Sequence, residues 1–221
     1  MTVAATTAGQ LDQIIHLKVS WAIYEALLAA LGDQNHVRLN YDGETLEIMS
    51  PGTMHEFLAN LVSEMLTILS LEWRIFLVNL GSATIKTEPK GFEADKTYYV
   101  NAKSRVRDLR SIDVTTDPPP DLLVEIDISN SSRDKLPIYA ALGVMEVWRY
   151  HASGFAGFAL AGDAYIPIQI SHAIRGLPLK EIGNWLTGPQ AEAAAQGDMF
   201  AFALSWQNWA GNHRGLHALA S

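Results

Sequence analysis

The sequence predicts a mixed α/β domain, and three observations carry that prediction. Long amphipathic stretches alternate with short runs of period two. Their order is helix, hairpin, helix, then strands with one helix interposed. No repeat, low-complexity tract or linker interrupts the 221 residues. A chain this long buries roughly 70% of the surface its unfolded form exposes, so its core needs no staples. It has none, because cysteine is absent, which excludes disulfide frameworks, thiol nucleophiles, iron–sulfur ligation and cysteine-based zinc sites. At 48% apolar and 18% charged residues the chain is neither a disordered tail nor a fibrous repeat. One domain over residues 1–221 is expected, with a core at about 37–186 and a helical extension at about 187–221.

The elements follow from local pattern. Residues 17–31 (LKVSWAIYEALLAAL) space their apolar side chains as a helix does, and Gly32 supplies a stop. VRLNYDGETLEIM reads as a hairpin turned at Asp42-Gly43, and Ser50-Pro51-Gly52 ends it. From Thr53 to Trp73, Leu58, Leu61, Val62, Met65, Leu66 and Leu69 form one apolar stripe, with Thr53 and Glu56 at capping-box spacing. IFLVNL and SATIK are strands turned at Gly81, and TYYV and DLLVEIDIS are two more, separated by a charged stretch and Pro118–Pro120. RDKLPIYAALG is a short helix ending at Gly143, with Asp134 or a neighbour as N-cap. MEVWRYH, GFAGFAL and IPIQI are strands, and the alanine-rich tail from Leu179 is helical.

Net charge is −8, which argues against a general nucleic-acid coat protein. The distribution is uneven, however. Nine of the 16 Lys and Arg residues lie between Lys86 and Lys135, and Lys96, Lys103, Arg105, Arg107 and Arg110 form a strip interrupted only by Asp108. That strip reads either as a solvated loop or as a phosphate-backbone contact. MTVAATTAGQLDQ has neither a positive n-region nor an apolar core, and no run approaches the ~18 apolar residues of a spanning helix. A cytoplasmic protein with no membrane partner is expected.

The chemistry concentrates at Asp121-Leu-Leu-Val-Glu125-Ile-Asp127-Ile-Ser129. Alternation puts Leu122, Val124, Ile126 and Ile128 on one face and Asp121, Glu125, Asp127 and Ser129, with Leu123, on the other. Two carboxylates among branched apolar residues are costly without a compensating cation. The arrangement reads as a site for a hard divalent cation, or as the solvent side of an edge strand. Lys135 falls in the first turn of its helix, where the macrodipole disfavours a cation, so its ammonium is expected to turn toward Glu125. No Walker A loop, GxSxG elbow or HExxH motif is present; His213 and His217 read as tail residues, and the six tryptophans as core.

MSPGTMHE opening a helix, FEADKTYYV, PPDLLVEIDIS and DKLPIYAALGVMEVWRY, at compatible spacing, resemble the Uma2 (DUF820) family of restriction-endonuclease-like proteins. The similarity runs from about Val37 to Tyr150 and more loosely to the Trp185 region. It implies a PD-(D/E)XK core, with a mixed central sheet flanked by helices, and Mg²⁺- or Mn²⁺-dependent hydrolysis of DNA. The family's metal-binding aspartate falls on Asp95, preceded here by Ala94 instead of proline, and its strand acid on Glu125. The wider superfamily's lysine two residues after that acid is replaced by Asp127, and the family's helix lysine falls on Lys135. His55 and Tyr139 match its helix histidine and tyrosine. The resemblance thus implies Asp95 and Glu125 as metal ligands, Lys135 beside the attacking water, and Glu56, His55, Asp127 and Tyr139 as accessory. Lys96, Lys103, Arg105, Arg107 and Arg110 would contact DNA. A C2 homodimer, one site per strand, is also implied, with apolar surface offered by Ala191–Ala195, Phe200, Phe202, Leu204 and Trp206. Two rivals stand beside this: a nuclease-fold protein that only binds DNA or protein, and a hydrolase for a small phosphoester.

Overall fold

Two six-stranded sheets, rather than one, carry the chain. This computed structural model describes residues 12–32, 36–100, 111–128, 135–151 and 154–219. The first sheet holds β1 (Gln13–Lys18), β2 (Arg38–Tyr41), β3 (Thr45–Ser50), β5 (Thr84–Thr87), β6 (Lys90–Glu93) and β8 (Ser111–Asp113), in the order β1-β3-β2-β6-β5-β8. The second holds β4 (Leu77–Asn79), β7 (Lys96–Val100), β9 (Leu122–Asp127), β10 (Glu146–His151), β11 (Gly154–Ala161) and β12 (Ala164–Ile168), in the order β12-β11-β10-β9-β7-β4. Each sheet is mixed, since β5 runs parallel to β8 and β9 parallel to β10 while their other pairings are antiparallel. The chain changes sheets between β6 and β7 across Ala94 and Asp95 alone. So short a crossing leaves no composition signal, which is why one sheet was expected.

The helices are α1 (Trp21–Leu31), α2 (Thr53–Trp73), α3 (Leu136–Ala141), α4 (Leu179–Thr187), α5 (Pro189–Ala195), α6 (Met199–Asn212) and α7 (Arg214–Leu219). The first helix does not start at Leu17. Residues 13–18 pair antiparallel with β3, and α1 begins at Trp21 after Ser20. The hairpin forms as expected, with Gly43 at φ 109° in its turn, a conformation that favours glycine. The Thr53–Glu56 capping box does not form. Gly52 is the N-cap of α2, no side chain caps it, and the Glu56 carboxylate accepts instead from Arg38.

α1 covers one face of the first sheet with Tyr24, Leu39, Tyr41 and Leu46. Gly91 permits this packing, because a Cβ there would meet the Tyr24 hydroxyl at 2.3 Å. β9 is central and buried on both faces. Leu122, Val124 and Ile126 pack with α2, and Leu123 lies in a second core with Phe92, Ile138 and Tyr139. The edge-strand reading of Glu125 is therefore excluded. The tail helices join the α2 core through Ala191, Ala194, Phe202 and Trp206, which leaves Phe200 and Leu204 as the exposed large apolar residues of the surface expected for a dimer. Reciprocal indole bonds lock them there: Trp73 Nε1 donates to Ala210 O and Trp206 Nε1 to Met65 O. Among the described residues no helix is long and apolar enough to cross a membrane.

Candidate active site

The site lies where the two sheets approach each other, and its geometry follows from strand register. β7 and β9 pair antiparallel with Lys96 opposite Val124 and Thr97 opposite Leu123. One further step puts Asp95 opposite Glu125, and Asp95 Oδ2 accepts the Ile126 N–H at 2.7 Å. Two like charges facing each other across a pair of strands repel, so the arrangement needs cations. They arrive from three elements.

The first is the start of α2. His55 Nε2 lies 2.8 Å from Asp95 Oδ1, off the line of an ideal hydrogen bond, and Nδ1 lies 3.1 Å from Asp12 Oδ2. Burial alone would lower the pKa of this imidazole. The flanking Asp12 and Asp95 carboxylates outweigh burial and raise it to about 10, so His55 is a buried cation at neutral pH. Its charge and the Ile126 N–H hold the Asp95 carboxyl below its ordinary range despite burial.

The second is α3. Lys135 is its N-cap rather than a first-turn residue, and Nζ lies 3.8 Å from Glu125 Oε2 and 3.0 Å from Glu47 Oε1. The ammonium thus turns inward, with its closer partner on β3. Burial lowers the lysine pKa, but Glu125, Glu47 and Asp95 together raise it. The third is Arg38 on β2, whose Nη2 donates to Glu56 Oε1 at 2.9 Å while Nε lies 3.9 Å from Asp95 Oδ1.

Glu125 remains the least satisfied member. Burial and the Asp95 charge raise its pKa to about 7, against the lowering effect of Lys135. Its Oε1 is buried without a hydrogen-bond partner, as is the Tyr139 hydroxyl. Each is close enough to shift the other's ionisation, yet they do not meet in hydrogen-bond geometry. Burial first, then the Glu125 charge, keep the Tyr139 hydroxyl protonated. Six buried side-chain atoms lack a hydrogen-bond partner among the described residues, and four of them (Arg38 Nε, His55 Nε2, Glu125 Oε1 and Tyr139 Oη) belong to this cluster, although His55 Nε2 is ion-paired with Asp95. Unpartnered polar atoms gathered in one place mark a binding site for something polar.

Asp95, Glu125, Lys135, His55 and Tyr139 are therefore brought together, with Glu56 at the margin through Arg38. Asp127 turns to Arg149, whose Nη2 is 2.9 Å from Oδ2. Lys96 donates to Asn60 Oδ1 at 2.8 Å on the α2 side of its sheet. Lys103, Arg105, Arg107 and Arg110, and the suggested cap Asp134, lie outside the described residues. Sequence reasoning missed Asp12, Arg38, Asn40 and Glu47. Glu47 carried a weak signal as a lone acid between Leu46 and Ile48 in a hairpin strand, a pattern that ordinarily means a solvated face.

Oxygen donors on Asp95 and Glu125 suit a hard cation, and Glu125 Oε1 has no hydrogen-bond partner among the described residues. Among the described residues no three His, Asp or Glu side chains are grouped to hold a metal ion. A cation here would depend on two carboxylates and water, which is how Mg²⁺ is commonly bound.

The sequence matches the family described as "Uma2: Putative restriction endonuclease" over residues 21–187. No curated protein matches it. Among solved structures, the chain is similar to "a putative nuclease belonging to DUF820 from Anabaena variabilis", at 10% identity and a TM-score of 0.45, covering 83% of this chain and 98% of that one.

Proposed function

The chain belongs to the Uma2 family, and from that premise we propose that it is an endonuclease hydrolysing phosphodiester bonds in DNA with a Mg²⁺ or Mn²⁺ ion held by Asp95 and Glu125. The observation that carries this reading is the unpartnered, buried Glu125 Oε1 opposite Asp95. Such a cluster is costly to fold around unless a ligand uses it. The cation supplies Lewis acidity toward a phosphate oxygen. The protein's own groups do the rest. Asp95 is fixed by the Ile126 N–H and kept ionised by His55. Lys135 offsets negative charge that grows at phosphorus and orients the attacking water. Tyr139, held protonated, offers its hydroxyl hydrogen to Glu125 or to a phosphate oxygen.

Asp127 has an accessory role only through Arg149 in this reading, and Glu56 orients Arg38 beside Asp95. Lys96, Lys103, Arg105, Arg107 and Arg110 follow directly on Asp95 in the chain and are proposed to hold the phosphate backbone. A slope of roughly −4 to −5 for log affinity against log salt is expected if each neutralises one phosphate. A C2 dimer would present one site to each strand. The alternative, a nuclease-fold module that binds without cleaving, draws on the closer approach of Lys135 to Glu47 than to Glu125. Plasmid cleavage with Mg²⁺, Mn²⁺ and EDTA, beside calorimetric titration of either metal into wild type and Glu125→Gln, separates the two. Metal-dependent nicking and metal binding lost in Glu125→Gln support the nuclease. Absence of both refutes it.

A further inference from the structure

Lys135 is held over the acids from the opposite sheet. Glu47 sits in the middle of β3 with 0% exposure, on the face of the first sheet that also carries Arg38 and Asn40. Its Oε1 accepts from Lys135 Nζ at 3.0 Å and from Asn40 Nδ2 at 3.0 Å, and its Oε2 lies 3.1 Å from His16 Nε2. Both oxygens are thus engaged, and the carboxylate has one fixed orientation. Lys135, by contrast, caps a six-residue helix with no strand ladder to aim its side chain, at an end whose dipole repels it.

We propose that Glu47 is the positioning residue of the site: it fixes the Lys135 ammonium beside Glu125, and Asn40 and His16 fix Glu47 in turn. Among the described residues this water-inaccessible carboxylate has one permanently charged partner, Lys135, beside the Asn40 amide and the His16 imidazole. Because the Glu47 contact is the shorter, Lys135 stays in place when Glu125 is engaged elsewhere. The lysine that a strand would have supplied two residues after Glu125 is thereby replaced by a lysine on α3 aimed from β3. Asp127 is free of that duty and pairs with Arg149. The role in turnover rests on the nuclease reading; the tether itself does not.

The test uses Glu47→Gln in the full chain. An amine-reactive reagent followed by peptide mass spectrometry should modify Lys135 at least ~10-fold faster than in wild type, the factor for losing one charge-assisted hydrogen bond. Other lysines should be unchanged. In cleavage assays kcat should fall about 10²-fold with little change in KM, the size of effect produced by displacing a catalytic group by about 1 Å. In a Lys135→Met background the same substitution should cost no further activity. Unchanged Lys135 labelling in folded Glu47→Gln overturns the proposal, as does an equal loss of activity in the Lys135→Met background. If Glu47→Gln does not fold, His16→Ala loosens the same carboxylate from its half-exposed side and is read by the same labelling, with unchanged reactivity again overturning it. A wild-type protein that never cleaves DNA removes the nuclease reading and leaves labelling to decide the tether.

Discussion

Glu125→Gln should make the protein more stable at alkaline pH while abolishing its activity. In the fold, burial and the Asp95 charge raise Glu125 from 4.5 to about 7. The sign follows from proton binding. Between pH 4.5 and 7 the unfolded chain has released this proton and the native state still holds it, so stability falls as pH rises and levels off above 7. Two and a half pH units at 1.36 kcal/mol each give a penalty of about 3 kcal/mol at pH 8. The attraction of Lys135 at 3.8 Å is already contained in that shift, and the amide, an imperfect copy of the protonated acid, recovers only part of the penalty. A net gain of about 1–2 kcal/mol at pH 8 is expected, shrinking to nothing near pH 4. Urea denaturation of both proteins from pH 4 to pH 9, with cleavage assayed in parallel, measures it. A variant less stable than wild type by the same amount at every pH would refute the reasoning, because Glu125 would then be an ordinary structural carboxylate. Strain kept at a working site and relieved by disabling it is a familiar trade of stability against activity.

Lys135→Ala should do more than slow cleavage. Among the described residues it leaves Glu47 buried with no permanent cation, so a loss of about 3–5 kcal/mol in urea denaturation is expected. His55→Ala should cost a similar ~3–5 kcal/mol near neutrality by leaving Asp12 and Asp95 without their shared cation. Because the His55 pKa rises to about 10, its stabilisation is fully present below pH 6.5 and lost as pH climbs through 10, and the variant should lack that alkaline slope. Gly91→Ala drives a Cβ against the Tyr24 hydroxyl and should lower stability by about 1–3 kcal/mol with the Asp95–Glu125 cluster unperturbed, seen as a lower Tm with unaltered metal binding.

Local periodicity revealed most of the elements and little of how they meet. The α2 stripe, the hairpin and β9 were legible because each announces its buried face within its own residues. The start of α1 was misread at Leu17 because residues 13–18 pair with β3, a partner distant in the chain (Leu17 faces Leu46), and tertiary pairing overrode a helical pattern. Asp95 and Glu125 were legible as a pair only through motif spacing; their opposition depends on the β7–β9 register. Glu47 was invisible for a different reason. Alternation in β3 assigns it to a polar face, and nothing in the strand tells that this face meets a second sheet instead of water. The same blindness hid Arg38, Asn40 and Asp12, whose partners lie on other elements.

The tryptophans of the tail give the molecule an optical signature at the end remote from its acids. Trp206 and Trp209 stack with ring centroids 4.6 Å apart, Trp185 meets Trp206 edge-on at 5.2 Å, and Trp73 lies 6.4 Å from Trp209. Indoles this close couple their transitions, and Trp73–Trp209 is the pair that joins α2 to α6, so its share of the exciton couplet in circular dichroism should be lost when the helices part while the Trp206–Trp209 share, internal to α6, remains. Trp148, buried on β10, belongs to none of these pairs, and its fluorescence, separated from that of the other five indoles by comparison with Trp148→Phe, reports the central sheet. The two signals allow undocking of the tail and collapse of the sheet to be timed separately, without a label.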